Sequence, residues 1–226
     1  MLGTATFMIL GCSNVVAHLA GSEPTHLNTV ISFSFGISTA IMMVGHISGA
    51  IMNPGLNFAA VILGHMSLQK QLLYTICQVL GATIGAGFVK IVTPNLPSGF
   101  CVPQVNPEVG LGAAIVVEFV TTCVLAFVFC SVLDKRNAPD APFIFLKFGM
   151  AITALAIPMA KYSGCSMNPA RAFGPAFVGQ FWDNHWVTYL QFYNLPPLHI
   201  YMTCFLCPPF GCRWSARCSA SKTWQG

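Results

Sequence analysis

The sequence predicts an all-α membrane protein, a helical bundle built from an inverted repeat whose two half-helices meet at the membrane midplane. Three observations indicate this: the composition, a repeated Asn-Pro motif inside apolar sequence, and the similar order of apolar runs around both copies. Hydrophobic residues make up 55% of the 226 residues and charged residues 7%, and the mean hydropathy is +0.69. A soluble domain carries about 25% charged residues, so this chain cannot cover a globule with a solvated surface.

The repeated motif reads Asn53-Pro54-Gly55 in the first half and Asn168-Pro169-Ala170 in the second, 115 residues later. The octets that end in these tripeptides share Ser, Gly, Met, Asn and Pro. Asn is a favoured N-cap, and Pro fits the first helical position because its missing N–H would be unsatisfied there. Each copy therefore predicts a half-length helix that starts at membrane depth. Paired interrupted helices in two repeats indicate a substrate site near the midplane.

The apolar runs give the predicted order of elements. Spans are expected at residues 2–20, 27–44, 71–92, 111–133 and 143–160, with half-helices at 53–63 and 168–179. Three spans and a half-helix make an odd number of crossings, so the second repeat must be inverted. We expect a first repeat at 1–92, a connector at 93–110, a second repeat at 111–186, and a divergent tail at 187–226 in place of a sixth span. That tail contains two Pro-Pro pairs, and its longest apolar stretch is too short to cross a bilayer.

Composition also bears on cofactors and partners. The net charge of +4 is scattered, without a basic stripe, which argues against nucleic acid. Neither a nucleophile–base pair nor a metal cluster lies near the motifs, so we expect no enzyme, metal or cofactor. The cysteines inside spans (Cys12, Cys77, Cys123, Cys130) are interpreted as small buried hydrophobes. Cys204 and Cys207 have metal-ligand spacing, but with Cys212 and Cys218 they fit no standard zinc pattern, which favours an unpaired cysteine-rich tail.

Glu118 is an acidic residue inside an apolar span, one helical turn before Thr122. A carboxylate at this depth is costly and faces protein or a water-filled cavity. Non-helical backbone at membrane depth must find its hydrogen-bond partners within the protein. We therefore prefer a structural carboxylate that accepts from stray backbone donors over one that contacts the solute.

Residues 46–55, residues 162–175 and the Glu118–Thr122 pair resemble the aquaporin, or major intrinsic protein, family. The resemblance covers about residues 1–186 and is greatest to the insect branch that carries glycerol as well as water. It implies a passive channel for water and small neutral solutes such as glycerol or urea. It also implies a multi-pass protein of the plasma membrane that forms homo-tetramers.

The chemistry of Asn53 and Asn168 can be argued from the residues. Each half-helix points free backbone donors and the positive end of its dipole at the centre of the pore. The two side-chain amides add further donors. Water at this point would be oriented with its oxygen toward the donors, which interrupts a proton wire, and the positive helix ends repel cations.

The resemblance also implies a selectivity constriction. Arg171 and Cys165 match two of its positions, although a buried inert thiol is an equal alternative for Cys165. Ala156 matches a third, where water-selective members have His, and its small size favours glycerol or urea. For the fourth position the Phe-Gly pattern selects Phe35 and the family spacing selects Phe33. We favour Phe35; the two cannot both face the pore on one helix.

Three functions compete. The first is a passive channel. The alternative is a non-conducting truncated isoform that assembles with or regulates full-length subunits, which is suggested by the missing sixth span. A coupled transporter ranks lowest, since Glu118 and Arg171 are the only deep ionisable candidates. The family's glutamate in the first span would precede Met1, so we expect the chain to start late. The positive-inside rule places Lys70, Lys135 and Arg136 in the cytoplasm and the connector outside.

Overall fold

The computed structural model describes residues 1–22, 24–134, 137 and 142–192. This part of the chain holds seven α-helices: α1 Leu2–Cys12, α2 His26–Ser48, α3 Pro54–Ile62, α4 Leu68–Val92, α5 Leu111–Leu133, α6 Ile144–Ser163 and α7 Pro169–Gly179. Two 3₁₀ segments follow α1 and α7, at Ser13–Ala20 and His185–Phe192. Of the tail expected at 187–226, residues 187–192 belong to the second 3₁₀ segment, and the rest, with its cysteine-rich end, lies outside the described residues.

Four of the helices, α2, α4, α5 and α6, are long and apolar enough to cross a membrane. They expose large hydrophobic side chains, among them Ile76, Ile84 and Ile91 on α4 and Met150 on α6. In water such faces would cost about 25 cal/mol per Å² of apolar surface, whereas lipid covers them without that cost. The prediction of an all-α integral membrane bundle is confirmed.

The first predicted span differs from expectation. The α-helix ends at Cys12 instead of continuing to residue 20, and the chain goes on as the 3₁₀ segment Ser13–Ala20. The hydroxyl of Ser13 donates to the carbonyl of Ile9, and Ser and Asn side chains compete with helical hydrogen bonding. Eleven α-helical residues and eight 3₁₀ residues still extend about 32 Å, close to the hydrocarbon thickness of a bilayer.

Both half-helices begin where the motif predicts. Asn53 caps α3 by accepting from the N–H of Gly55 at 2.9 Å. Asn168 caps α7 by accepting from the N–H groups of Ala170 at 3.0 Å and Arg171 at 3.3 Å. With nine and eleven residues, the two helices together are about 30 Å long. End to end they therefore match one membrane thickness.

Close helix crossings hold the bundle together. A Cβ on Gly85 of α4 would lie 2.6 Å from the carbonyl oxygen of Ala5 in α1, and one on Gly174 of α7 would lie 2.6 Å from the carbonyl of Ala82 in α4. Small residues allow this approach, which is typical of membrane helices. As a result α4 lies between α1 and the half-helix of the other repeat.

The cysteines depart from the sequence interpretation. Cys12, expected to be a buried hydrophobe, is buried but forms a disulfide with Cys101 of the connector, with Cα atoms 5.5 Å apart. Cys77 is exposed on the outer face of α4, Cys123 is half-buried and Cys130 is buried. The disulfide ties the end of α1 to a connector 89 residues away in sequence.

Candidate functional site

The two motif loops meet at the centre of the bundle and line one cavity. Residues 49–53 of the first loop and 164–168 of the second are equivalent under the 115-residue offset, and all ten line it. Both loops turn through the left-handed region, at Gly49 (φ 71°) and Ala50 (φ 47°), and at Gly164 (φ 78°) and Cys165 (φ 46°). Non-glycine residues pay for this conformation with strain that the surrounding structure must hold in place. The turns direct each chain back into the bundle where its half-helix starts.

The two asparagines lock the loops to each other. Nδ2 of Asn53 donates to the carbonyl of Met167 at 2.7 Å, and Nδ2 of Asn168 donates to the carbonyl of Met52 at 2.9 Å. Each amide group has two protons, so each asparagine keeps one N–H for the cavity. The expectation of free backbone donors at the start of α7 is not met. Pro169 has no N–H, and the next two backbone donors are bonded to Asn168 itself.

Glu118 of α5 holds the second loop in shape. One carboxylate oxygen accepts from the Ser163 hydroxyl at 2.7 Å and the Ser166 N–H at 2.8 Å, and the other accepts from the Met167 N–H at 3.2 Å. Its side chain is 1% exposed and does not line the cavity. These bonds to non-helical backbone are of the kind that membrane depth requires.

The first loop is held by a pair of amides instead of a carboxylate. Gln78 of α4 donates to the carbonyl of Ile51, and its amide exchanges hydrogen bonds of 2.8 and 3.3 Å with the amide of Asn57 in α3. Both side chains are buried. The backbone of the two loops is therefore hydrogen-bonded in different ways. In the second loop Glu118 accepts from N–H groups, and in the first loop Gln78 donates to a carbonyl.

The cavity has about 200 Å³ of space for water and is bounded on its other side by apolar side chains. These come from α2, α5 and α6 at helical spacing: Val30, Phe33, Ile37, Ile41, Leu125, Phe129, Phe148, Ile152, Ala156 and Ala160. Loop backbone and asparagine amides face this apolar wall. A small neutral solute would thus find hydrogen-bond partners along one side only.

A second cavity of about 220 Å³ lies on the side of the connector, and residues 101–103 line it. Five residues line both cavities and so form the neck between them: Thr29, Phe33, Ala160, Gly164 and Arg171. A Cβ on Gly164 would lie 2.7 Å from Cα of Pro103. The connector is therefore packed directly against the neck.

Arg171 is the one charged side chain among the neck residues. It lies in the first turn of α7 and is 7% exposed. Its Nη1 donates to the carbonyl of Cys101 at 3.2 Å, and its guanidinium carbon lies 4.4 Å from the centroid of the Phe33 ring. A carbonyl and an aromatic face compensate part of the cost of a buried cation. The guanidinium also has five N–H donors, more than the hydrogen bond to the Cys101 carbonyl uses.

Comparison with known proteins assigns the chain to a family. Residues 1–191 match the family described as Major intrinsic protein. The chain belongs to this family. The match covers every described helix.

Several curated relatives of this major intrinsic protein are aquaporins. It is 35% identical to aquaporin-4 of Mus musculus over 190 residues, which is 82% of this chain and 59% of that protein. It is 36% identical to the lens fiber major intrinsic protein of Ovis aries over 168 residues, 73% of this chain and 63% of that protein. The chain thus spans about three-fifths of the length of these relatives. A solved aquaglyceroporin from Plasmodium falciparum has the same fold, with a TM-score of 0.77 at 20% identity and coverage of 90% and 91%.

Within this major intrinsic protein, Ala156, Cys165 and Arg171 line the cavity, and Ala156 lies one helical turn from Ala160 of the neck. The prediction for Phe35 is wrong. Its side chain is 69% exposed, while Phe33 is 7% exposed and lies at the neck. Two residues correspond to about 200° around a helix, so Phe35 must point away from the cavity when Phe33 faces it.

Sequence reasoning missed three features of the site: the Gln78–Asn57 pair, the Cys101 carbonyl and Gly164 in the neck. The sequence did contain a signal for the Gln78–Asn57 pair, because each is a polar side chain inside an apolar run. The Cys101 carbonyl had none, since it reaches Arg171 only through the fold of the connector.

Proposed function

We propose that this major intrinsic protein is a passive transmembrane channel for water and small neutral solutes. The observation that carries the proposal is the pair of cross-linked motif loops, which place two asparagine amides in one cavity between membrane-spanning helices. Fixed donors at the N-termini of two half-helices favour a neutral solute with an acceptor oxygen and oppose a cation. Aquaporin relatives and the aquaglyceroporin fold support the same class.

We infer further that glycerol and urea are among the solutes. Ala160 and Gly164 leave one side of the neck without bulk, and Ala156 does the same one turn below. Opposite them, the Phe33 ring offers an apolar face and Arg171 offers donors. Glycerol presents carbons on one side and hydroxyls on the other, so this neck suits it better than a ring of polar groups would.

The test is stopped-flow light scattering of vesicles that contain the purified full chain. In a sucrose gradient, water should leave these vesicles faster than empty ones. In a glycerol gradient, the vesicles should first shrink as water leaves and then swell again rapidly as glycerol enters. Fast water flux with excluded glycerol would refute the glycerol assignment alone. Rates equal to those of empty vesicles would refute the channel and favour a non-conducting isoform that acts with full-length subunits.

We propose the plasma membrane as location and a homo-tetramer as assembly, on the basis of family resemblance and the exposed apolar face of α4. Such faces suit either lipid or a second copy of the chain. Surface biotinylation of intact cells tests the location. The mass of the detergent-solubilised protein by light scattering tests the assembly, and a monomer mass would contradict it.

A further inference from the structure

We propose that the Cys12–Cys101 disulfide is a specificity-determining element that positions the Cys101 carbonyl against Arg171 and so sets the width of the neck. As far as solute discrimination is concerned, this rests on the proposed channel function. Breaking the disulfide is expected to free the carbonyl and to admit larger neutral solutes. The bond joins the last residue of α1 to the connector, and neither cysteine belongs to the repeated motifs.

The disulfide closes a ring of contacts around the arginine. The Cys101 carbonyl accepts from Arg171 at 3.2 Å, and the guanidinium lies 4.4 Å from the Phe33 ring centroid. A Cβ on Gly11 would overlap that ring, so the ring lies directly on the backbone of α1. Gly11 is followed in the chain by Cys12, and the disulfide of Cys12 leads back to Cys101, which completes the circle of contacts. Both the Phe33 ring and the Cys101 carbonyl, which contact Arg171, are thus held by the same end of α1.

On either side of Cys101 the connector packs against the bundle, since a Cβ on Gly164 would lie 2.7 Å from Cα of Pro103 and one on Gly179 would overlap the Ser98 carbonyl. Cys101 lies at the tip of a turn with φ of 61°. The turn is closed by its own hydrogen bonds, from the Phe100 N–H to the Pro97 carbonyl at 3.0 Å and from the Val102 N–H to the Gly99 carbonyl at 3.2 Å. Those bonds shape the turn, and the contact of Ser98 with Gly179 sets the turn against the last residue of α7, two turns of helix away from Arg171. At Cys101 itself the attachment is the disulfide, which is covalent and whose partner Cys12 is fully buried.

The location of the bond suits an oxidising compartment. The predicted orientation places the connector outside the cell, where disulfides persist. Cys101 lines the cavity on the connector side, which gives a small reagent in the external solution a route to this residue. The disulfide is therefore open to a direct test in the folded protein.

The first test measures solute discrimination in vesicles. A water-soluble phosphine transfers two electrons to the disulfide; water supplies two protons to the thiols and its oxygen to the phosphine oxide. Treatment should raise the ratio of erythritol to glycerol permeability at least about threefold, well within the tenfold or more that loss of a hydrogen bond to a charged group allows. The variants C12S, C101S and the double variant should show the same ratio without phosphine and no further response to it. C77S, an exposed cysteine on α4, is the matched control and should behave as wild type.

The second test does not depend on flux. Phenylglyoxal modifies arginine, and Arg171 is 7% exposed in the disulfide-bonded protein. Its rate of modification, measured by peptide mass spectrometry, should rise at least about threefold on reduction. Reducing the folded wild type covers the case in which C12S fails to fold.

The outcomes distinguish failure of the channel function from failure of the proposed positioning of Arg171 by the disulfide. An unchanged permeability ratio together with unchanged Arg171 labelling, in protein whose free thiols prove reduction, would overturn the proposed role. Vesicles that conduct nothing while labelling rises would refute the channel but support the positioning of Arg171. Purified protein in which Cys12 and Cys101 are both free thiols before any reductant would also overturn it.

Discussion

At the scale of single residues, the site depends on a few polar side chains that each do two jobs. Asn53 and Asn168 cap their own helices with the amide oxygen and bind the opposite loop with the amide nitrogen. Arg171 binds the connector and faces the neck. A substitution at any of these positions therefore changes both the local fold and the lining of the cavity. Small residues at the neck offer cleaner tests.

Ala156→His is expected to reduce glycerol permeability at least about tenfold while water permeability falls less. The imidazole adds bulk and a hydrogen-bonding group to the apolar side of the cavity one turn from Ala160, and glycerol is the larger solute. Stopped-flow rates for both solutes in the same vesicles check this, since the ratio is independent of the amount of protein. Equal loss of both fluxes would show that Ala156 does not discriminate between them.

Cys165 gives a chemical test of which thiol faces the cavity. It lines the cavity and carries no disulfide. An organomercurial sulfonate added from outside should block most of the flux in wild type and little of it in C165S. C77S should be blocked as wild type is, because Cys77 lies on the outer face of α4. Block that persists in C165S would place the reactive thiol elsewhere.

Glu118→Gln is expected to destabilise the protein by about 1.5–3 kcal/mol. The amide replaces one acceptor oxygen with a donor, so either the Met167 N–H or the Ser166 N–H and Ser163 hydroxyl lose their partner. Thermal unfolding of the detergent-solubilised protein, followed by tryptophan fluorescence, measures this. E108Q, at an exposed position in the connector, should leave the transition within about 0.5 kcal/mol of wild type.

At the scale of elements, the accuracy of the sequence analysis follows from how local the signals are. The starts of α3 and α7 were predicted to within one residue because Asn and Pro define an N-terminus by themselves. The predicted fourth span, 111–133, has the bounds of α5. The first span was predicted as one helix because its apolar run hides the effect of Ser13 on the helix end.

Long-range features could not be predicted in this way. Phe33 and Phe35 lie on a helix that is apolar on both faces, since one side meets the bundle and the other meets lipid. Its sequence therefore does not show which side faces the cavity. The Cys12–Cys101 bond joins residues 89 positions apart, and only the packed bundle brings them together.

Helix packing makes a prediction about glycines. Gly85→Ala should destabilise the bundle by about 1–3 kcal/mol, because its Cβ would lie 2.6 Å from the Ala5 carbonyl and α1 would have to move. Gly87→Ala, two residues further along α4, meets nothing within 4 Å and should be neutral or slightly stabilising through helix propensity. Thermal unfolding of the two variants checks the difference. Similar losses in both would show that the crossing at Gly85 is not tight.

At the scale of the whole molecule, the repeat predicts what should complete the bundle. The 115-residue offset places the counterpart of α4 from about residue 183 onward. The 3₁₀ segment His185–Phe192 begins there and packs against α5, α7 and α3, whereas α4 packs against α1, α3 and α7. These are equivalent sets under the repeat. The segment therefore occupies the start of the position that a sixth span would fill.

This equivalence leads to a prediction about the end of the chain. Replacing residues 187–226 with a Gly-rich apolar span from a longer relative should raise both thermal stability and flux per molecule, because the polar N-termini of the half-helices need a complete wall against lipid. Stopped-flow rates normalised to protein amount, with unfolding curves of the same samples, check this. If the native chain already conducts at the rate of the chimera, residues 187–226 form a functional wall.

The most direct measurement compares water flux through vesicles that contain wild type, Ala156→Trp and Ile157→Trp. Residue 156 lines the cavity between the two asparagines and the neck, while Ile157 is 44% exposed on the outer side of α6. The same indole should therefore plug the cavity at 156 and extend into lipid at 157. We expect wild type and Ile157→Trp to shrink much faster than empty vesicles and Ala156→Trp to shrink at the empty rate. Fast flux through folded Ala156→Trp would show that water does not cross by this cavity.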